Sequence, residues 1–345
     1  MKRLKQCLKI IKFVLARASN IKILNMFLSI WKRKIKEALK LIYFKLIGLF
    51  YTENRFKKYQ KEFLILPDCV DIDALREYRR GNLVKLDRPL QYYYDQLFDL
   101  IAGKIAAKEP YTIIRASDGE AYFLQGKLVG NGPTRHFTKS SSLKNVDLAP
   151  FKDGLLRCDS RHVEMYKRNR RRFAKVYGRD IFSPIPFECI YALLASRRIL
   201  KNNYRIGIIG SQEKVKIIEK LTFFSAYKSY IGREGFDDYI GVPERGTAND
   251  PADLAEVIKS QLKNDIDIYL VGIGVAKLAI LHCLKENSKA VFLDAGAGVS
   301  ALAGLVGKER QYFAGWKNFR LKDYDYSKVD TMDAEMRGKE NVIFV

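Results

Sequence analysis

Two carboxylates separated by a glycine, in Arg115-Ala-Ser-Asp118-Gly119-Glu120, are the sharpest chemical feature of the sequence. On an extended backbone, residues i and i+2 point the same way, and Gly119 lets the chain turn tightly between them. Such a pair can hold a hard divalent cation, Mg²⁺ or Mn²⁺, which keeps several waters and bridges to substrate phosphates. Arg115 adds positive charge suited to a diphosphate. The same residues admit a structural role, because Ser117-x-x-Glu120 is also a capping box, with Ser117 accepting from the Glu120 N–H and Glu120 reaching back to the cap. Spacing leaves both roles open, and they coexist only if Asp118 does most of the metal binding.

Glycines recur where predicted strands turn into helices: Gly210-Ser211, Gly272-Ile-Gly274, and Gly296-Ala-Gly298 after Asp294. Small residues there let a phosphate approach the free N–H groups of a helix start. Gly119, Gly210, Ser211, Gly272, Gly274 and Asp294 are therefore candidate cofactor-binding positions, with close packing as the alternative for each turn. None completes a Gly-x-Gly-x-x-Gly fingerprint, since Lys277 and Ala301 stand in the third place, so a dinucleotide cofactor has no support. Val291-Phe-Leu-Asp294-Ala-Gly296-Ala-Gly298 resembles the first motif of S-adenosylmethionine-dependent methyltransferases. In that family the motif lies on the first strand, whereas only 47 residues follow Gly298 here, so this alternative needs a permuted chain.

The three histidines, His136, His162 and His282, are far apart in sequence, and Cys158-x-x-x-His162 lacks partners at zinc spacing. The five cysteines (Cys7, Cys69, Cys158, Cys189, Cys283) form no Cys-x-x-Cys pair and fit a reducing compartment. No Walker loop or Gly-x-Ser-x-Gly elbow is present.

The elements that must position these residues follow from periodicity. A polar helical stretch within 73–108 ends at Glu109-Pro110. Tyr111–Arg115 reads as a short buried strand, 116–120 as a turn and 121–125 as a helix. Residues 126–160 read as a loop, a candidate lid. Lys167–Arg172 is a basic cluster on a helix, read by default as a solvated face. From Pro186 the pattern is regular, with helices at 187–200, 212–224, 251–262 and 275–286 alternating with strands at 204–209, 239–242, 266–271 and 290–293. This alternation predicts an α/β fold with a Rossmann-like parallel sheet flanked by helices. Ligands of such sheets bind beyond the carboxyl ends of the strands.

The 345 residues carry a formal charge of +23, which favours anionic partners. Seventeen of the 62 basic residues lie in residues 1–62, opposed there by only Glu37, Glu53 and Glu62. Lysines interrupt every apolar run in this segment, so no stretch approaches the ~20 apolar residues of a membrane-spanning helix. The expectation is a basic amphipathic arm, 1–62, lying on an anionic membrane surface, with packing onto the rest of the chain as the alternative. The remaining domain is 63–345. Nucleic acid is not expected as a partner, because no nucleic-acid motif accompanies the basic residues.

The strand and turn Ile113-Ile-Arg115-Ala-Ser-Asp118-Gly-Glu120 resembles the signature of GT-D-type glycosyltransferases, bacterial enzymes of surface-glycan and glycoprotein assembly. The segment from Ile268 through Gly272-Ile-Gly274 to Asp294-Ala-Gly296 is similar to that family's closing strand–helix–strand. The resemblance implies a nucleotide-sugar-dependent transferase, commonly with a UDP-sugar donor. It also implies Mn²⁺ or Mg²⁺ held by Asp118 and Glu120, with Arg115 in the same site. The acceptor would be a cell-surface glycan, glycolipid or glycoprotein, at the cytoplasmic face of the cell membrane. Where the family usually has Phe-Gly this chain has Ala116-Ser117, and Ala297 stands where a His commonly follows the late Asp-x-Gly. Glu188, Glu244 and Asp294 are candidate bases for the acceptor hydroxyl. A non-enzymatic membrane- or polyanion-binding module is the alternative from another class.

Overall fold

The computed structural model describes residues 86–88, 90–126, 146–165, 167–243, 246–305, 313, 316–326, 329 and 342–345. The expected basic arm, most of the expected lid, His136 and Glu244 lie outside the described residues.

Six strands form one parallel sheet: β1 (Tyr111–Ala116), β2 (Ser160–Val163), β3 (Ile206–Ser211), β4 (Asp238–Val242), β5 (Ile268–Gly272) and β6 (Val291–Asp294), in the order β2-β1-β6-β5-β3-β4. Apart from the polar β2, their sequences are short runs rich in β-branched and aliphatic residues, and β3 and β6 are buried at every position. That is the pattern of a parallel sheet covered on both faces.

The helices are α1 (Leu90–Ala106), α2 (Asp118–Leu124), α3 (Ala149–Arg157), α4 (Lys167–Tyr177), α5 (Glu188–Ala195), α6 (Gln212–Leu221), α7 (Ser225–Ile231), α8 (Pro251–Lys259), α9 (Lys277–Leu284) and α10 (Ala297–Leu302). On one side α9 packs on α3, α8, β1 and β6, and on the other α10 packs on α5, α6 and β5, with α1 against α5 and β6. The first layer closes over a core that includes Ile114, Phe151, Leu155, Ile258, Val271, Leu281 and Phe292. Two short strands, β7 (Asn318–Arg320) and β8 (Val342–Phe344), pair separately.

The expected α/β architecture with a parallel sheet is present, with strand ends displaced by one or two residues. One element, α3, occupies part of the stretch expected to be loop, and β2, which starts at its last residue, is a strand that was not expected. Their residues are poor signals for buried structure. Gly154 reads as a helix breaker, yet a Cβ there would lie 2.3 Å from the Leu278 carbonyl oxygen, so its bareness is what lets α3 approach α9. In β2 the polar Arg161 and His162 are satisfied internally: Arg161 donates to the carbonyls of Leu156, Cys158 and Ile181, and His162 bonds Ser160 Oγ and the Ile185 carbonyl. The expected helix 212–224 ends at Leu221, and α7 follows as a separate element.

Neighbouring strands send the chain to opposite faces at three places, between β1 and β6, between β6 and β5, and between β5 and β3. From β3 it passes into α6 and from β5 into α9, which belong to different layers; from β1 it passes through α2 toward α3, and from β6 into α10. Such divergences open crevices at the carboxyl edge of a sheet, where ligands bind.

Candidate functional site

At the β1/β6 divergence four charged side chains from four elements meet. Arg115 comes from the end of β1, where Thr112, Ile113 and Ile114 favour an extended, buried strand. Its backbone N–H donates to Asp294 Oδ2 at 3.2 Å, and its Nε lies 3.4 Å from Asp294 Oδ1. The guanidinium lies 5.1 Å from the ring centre of Tyr191 and 5.8 Å from that of Phe187. It also rests on Gly296, where a Cβ would fall 1.6 Å from Nη2. Gly296 has a positive φ of 46°, so glycine serves both the turn and the seat of the arginine. Among the described residues the Nη atoms of Arg115 donate no hydrogen bond.

Lys277 opens α9, brought there by the turn through Gly274 (φ 62°) and the 3₁₀ segment Gly274–Ala276. Its side chain is 1% exposed, and its ammonium lies 2.5 Å from Asp294 Oδ2 and 2.9 Å from Glu120 Oε1. Glu120 Oε2 accepts from the Ser117 backbone N–H at 3.0 Å and from Ser117 Oγ at 2.6 Å, so the capping box allowed by the sequence is formed. Burial alone would raise the Glu120 carboxyl, but the charges of Lys277 and Arg115 and the bonds from Ser117 and Lys277 outweigh it and hold it well below the usual carboxylate range. For Arg115, burial opposes the charge, and Asp294, Tyr191 and Glu120 overcome it, so the guanidinium stays protonated. Two cations and two anions balance, as buried charges require.

Asp118 and Gly119 are the first two residues of α2, beside this cluster. Asp118 is half-buried and forms no hydrogen bond or ion pair among the described residues. Glu164, just past the end of β2, accepts from the Asn169 side chain. Burial pushes its carboxyl well above the ordinary range, and the negative charges of Glu188, Asp118 and Glu120 push it further. Glu188, at the start of α5, accepts from the Met165 N–H at 3.0 Å. Part of the basic cluster on α4 is fastened rather than solvated: Arg170 pairs with Asp180 and the Ser183 carbonyl, and Arg172 bonds Asn169 and Tyr122.

Of the sequence-derived candidates, Arg115, Glu120 and Asp294 therefore converge, with Asp118 and Gly119 adjoining. Gly210 and Ser211 stand apart, at the end of β3, whereas Gly272, the register partner of Gly210 at the end of β5, adjoins the cluster, since a Cβ on it would lie 3.3 Å from the Gly296 carbonyl oxygen, and Gly274 lies in the turn that leads to Lys277. Val299 of α10 fills the room above Gly210 and Gly272: a Cβ on Gly272 would lie 2.7 Å, and one on Gly210 3.0 Å, from its methyl carbons. Close packing accounts for these two glycines, while Gly274 faces open space.

The chemical role of Lys277 was not assigned from sequence. Its signal is a single cation opening the otherwise apolar run Lys277-Leu-Ala-Ile-Leu-His-Cys-Leu directly after a strand-end turn. Glu164 left no signal, because the strand before it was not expected.

The donor set does not fit a divalent ion bound by Glu120. Both its oxygens are engaged, one of them by a buried ammonium, and the guanidinium of Arg115 stands close by. No group of three or more potential metal ligands occurs among the described residues. Of the expected pair, only Asp118 has a carboxylate with no hydrogen bond or ion pair among the described residues. No helix among the described residues is long and apolar enough to cross a membrane. Comparisons with protein-family models, curated proteins and solved structures gave no match to this chain.

Proposed function

We propose that the protein is a glycosyltransferase that takes a sugar from a nucleoside-diphosphate sugar, a UDP-sugar by the resemblance of its motif, and transfers it to a cell-surface glycan, glycolipid or glycoprotein acceptor. The observation that carries this reading is the placement of the Arg-x-x-Asp-Gly-Glu turn. It folds at the carboxyl edge of a parallel sheet where two neighbouring strands diverge, the position at which α/β sheets take their ligands. In the reaction the bond between the anomeric carbon and the diphosphate oxygen breaks, and negative charge builds on the diphosphate. Arg115, fixed by Asp294 and with Nη atoms that donate no hydrogen bond among the described residues, is the group placed to meet that charge without reorganising. The acceptor hydroxyl oxygen forms the new bond to the anomeric carbon and gives up its proton to a nearby carboxylate, for which Asp118 is the residue at the edge of the cluster. On this reading, the basic residues of 1–62 hold the enzyme at the cytoplasmic face of an anionic membrane, close to its acceptor.

The test is release of UDP from a panel of UDP-sugars by the full chain, with a membrane extract as the acceptor source. Release is expected with at least one donor, and Arg115→Gln, folded by circular dichroism, should lower it by about 100-fold or more. Release at an equal rate in that variant removes this site from the reaction.

A further inference from the structure

We infer that the ammonium of Lys277 occupies, in this chain, the place of a bound cation between Glu120 of the motif and Asp294, so that the crevice meets a diphosphate with the guanidinium of Arg115 and not with a divalent metal. The second half of the statement rests on the nucleotide-sugar reading; the first does not.

The geometry is that of a filled cation site. Lys277 Nζ sits between Glu120 Oε1 at 2.9 Å and Asp294 Oδ2 at 2.5 Å, and all three side chains are 6% exposed or less. The other Glu120 oxygen is closed off by Ser117, and the other Asp294 oxygen faces Arg115 Nε at 3.4 Å. A divalent ion entering here would displace Lys277 from both carboxylates or share a poorly screened space with two fixed cations, and like charges at close range in such a medium repel strongly. The ammonium is also built in. The glycine turn at Gly274 and the apolar face of α9 anchor its stem, with Leu278, Ile280 and Leu281 in the core. Lys277 is too buried to touch a substrate and acts as a positioning residue. It fixes Asp294, which in turn aims Arg115 across Gly296.

The primary experiment is titration of the full chain with Mn²⁺ alone, followed by electron paramagnetic resonance of the free ion. Wild-type protein is expected to leave the free Mn²⁺ signal intact at equimolar protein, while Lys277→Gln, which removes a positive charge from between Glu120 and Asp294, should tighten Mn²⁺ binding by ~10-fold or more. Lys277→Arg should behave as wild type. Tight Mn²⁺ binding by the wild type that Glu120→Gln abolishes overturns the inference, and so does a folded Lys277→Gln protein with no gain. If Lys277→Gln does not fold, the wild-type and Glu120→Gln titrations still decide. Calorimetry with UDP, in EDTA and in Mn²⁺, separates this inference from the functional reading. Equal binding in both buffers supports the inference, and binding only with Mn²⁺ overturns it while leaving the nucleotide-sugar reading intact. Absence of UDP binding in either buffer overturns that reading and leaves the Lys277 assignment to the Mn²⁺ titrations.

Discussion

Gly296→Ala should be far more damaging than a surface glycine substitution, and its cost should depend on Arg115. A Cβ at Gly296 would stand 1.6 Å from Arg115 Nη2, 2.3 Å from Cζ and 2.4 Å from Nε, so the guanidinium has to leave its place. The backbone there has φ of 46°, which costs a non-glycine residue about 1–3 kcal/mol. Displacing the arginine also uncouples it from Asp294, which is 1% exposed, and breaking a buried pair costs about 3–5 kcal/mol. The substitution alone should therefore destabilise the protein by on the order of 4 kcal/mol or more. On an Arg115→Ala background the steric partner is gone, and only the backbone strain of about 1–3 kcal/mol remains. A double-mutant cycle measured by urea unfolding should return a coupling of about 2 kcal/mol or more between the two positions. Costs that add to within about 0.5 kcal/mol would refute the packing of Arg115 on Gly296, and with it the aim of the guanidinium into the crevice.

Two further outcomes follow from the packing and the buried charges. Gly154→Ala places a methyl group 2.3 Å from the Leu278 carbonyl oxygen and 2.8 Å from that of Ala279, so α3 and α9 must separate; thermal unfolding should show a loss of about 1–3 kcal/mol, and an unchanged melting temperature would contradict that contact. Burial pushes the His162 imidazole down to about 4, so the folded protein takes up its proton later than the unfolded chain does as pH falls. Protonation thus favours unfolding, and stability should decline from about pH 6.5 toward pH 4, by up to about 3 kcal/mol for this group. His162→Gln should flatten that part of the pH–stability curve, and an unaltered curve would assign the decline to other groups.

Much of the sheet was legible because its strands are continuous apolar runs separated by helix-period segments, as in Ile268–Gly272 and Val291–Asp294. The polar strand β2 was not, since Arg161 and His162 hide their burial behind hydrogen bonds to carbonyls distant in sequence. The Arg-x-x-Asp-Gly-Glu turn was found by residue type and spacing, yet spacing could not divide its two carboxylates. Glu120 is committed by Lys277, 157 positions away in the chain, and local sequence carries no trace of that partner. Glycine was the least specific signal. Gly210 and Gly272 make room for Val299, Gly154 for a neighbouring helix and Gly296 for an arginine, and these uses look alike in sequence.

The most direct test of the central claim is the position of the diphosphate in a crystal of the full chain grown with a UDP-sugar. The diphosphate oxygens should lie within hydrogen-bonding distance of the Arg115 Nη atoms at the β1/β6 crevice, with Lys277 still between Glu120 and Asp294. A diphosphate bound at the Ser211–Gly274 edge, or anywhere else that leaves Arg115 without a contact, would contradict it.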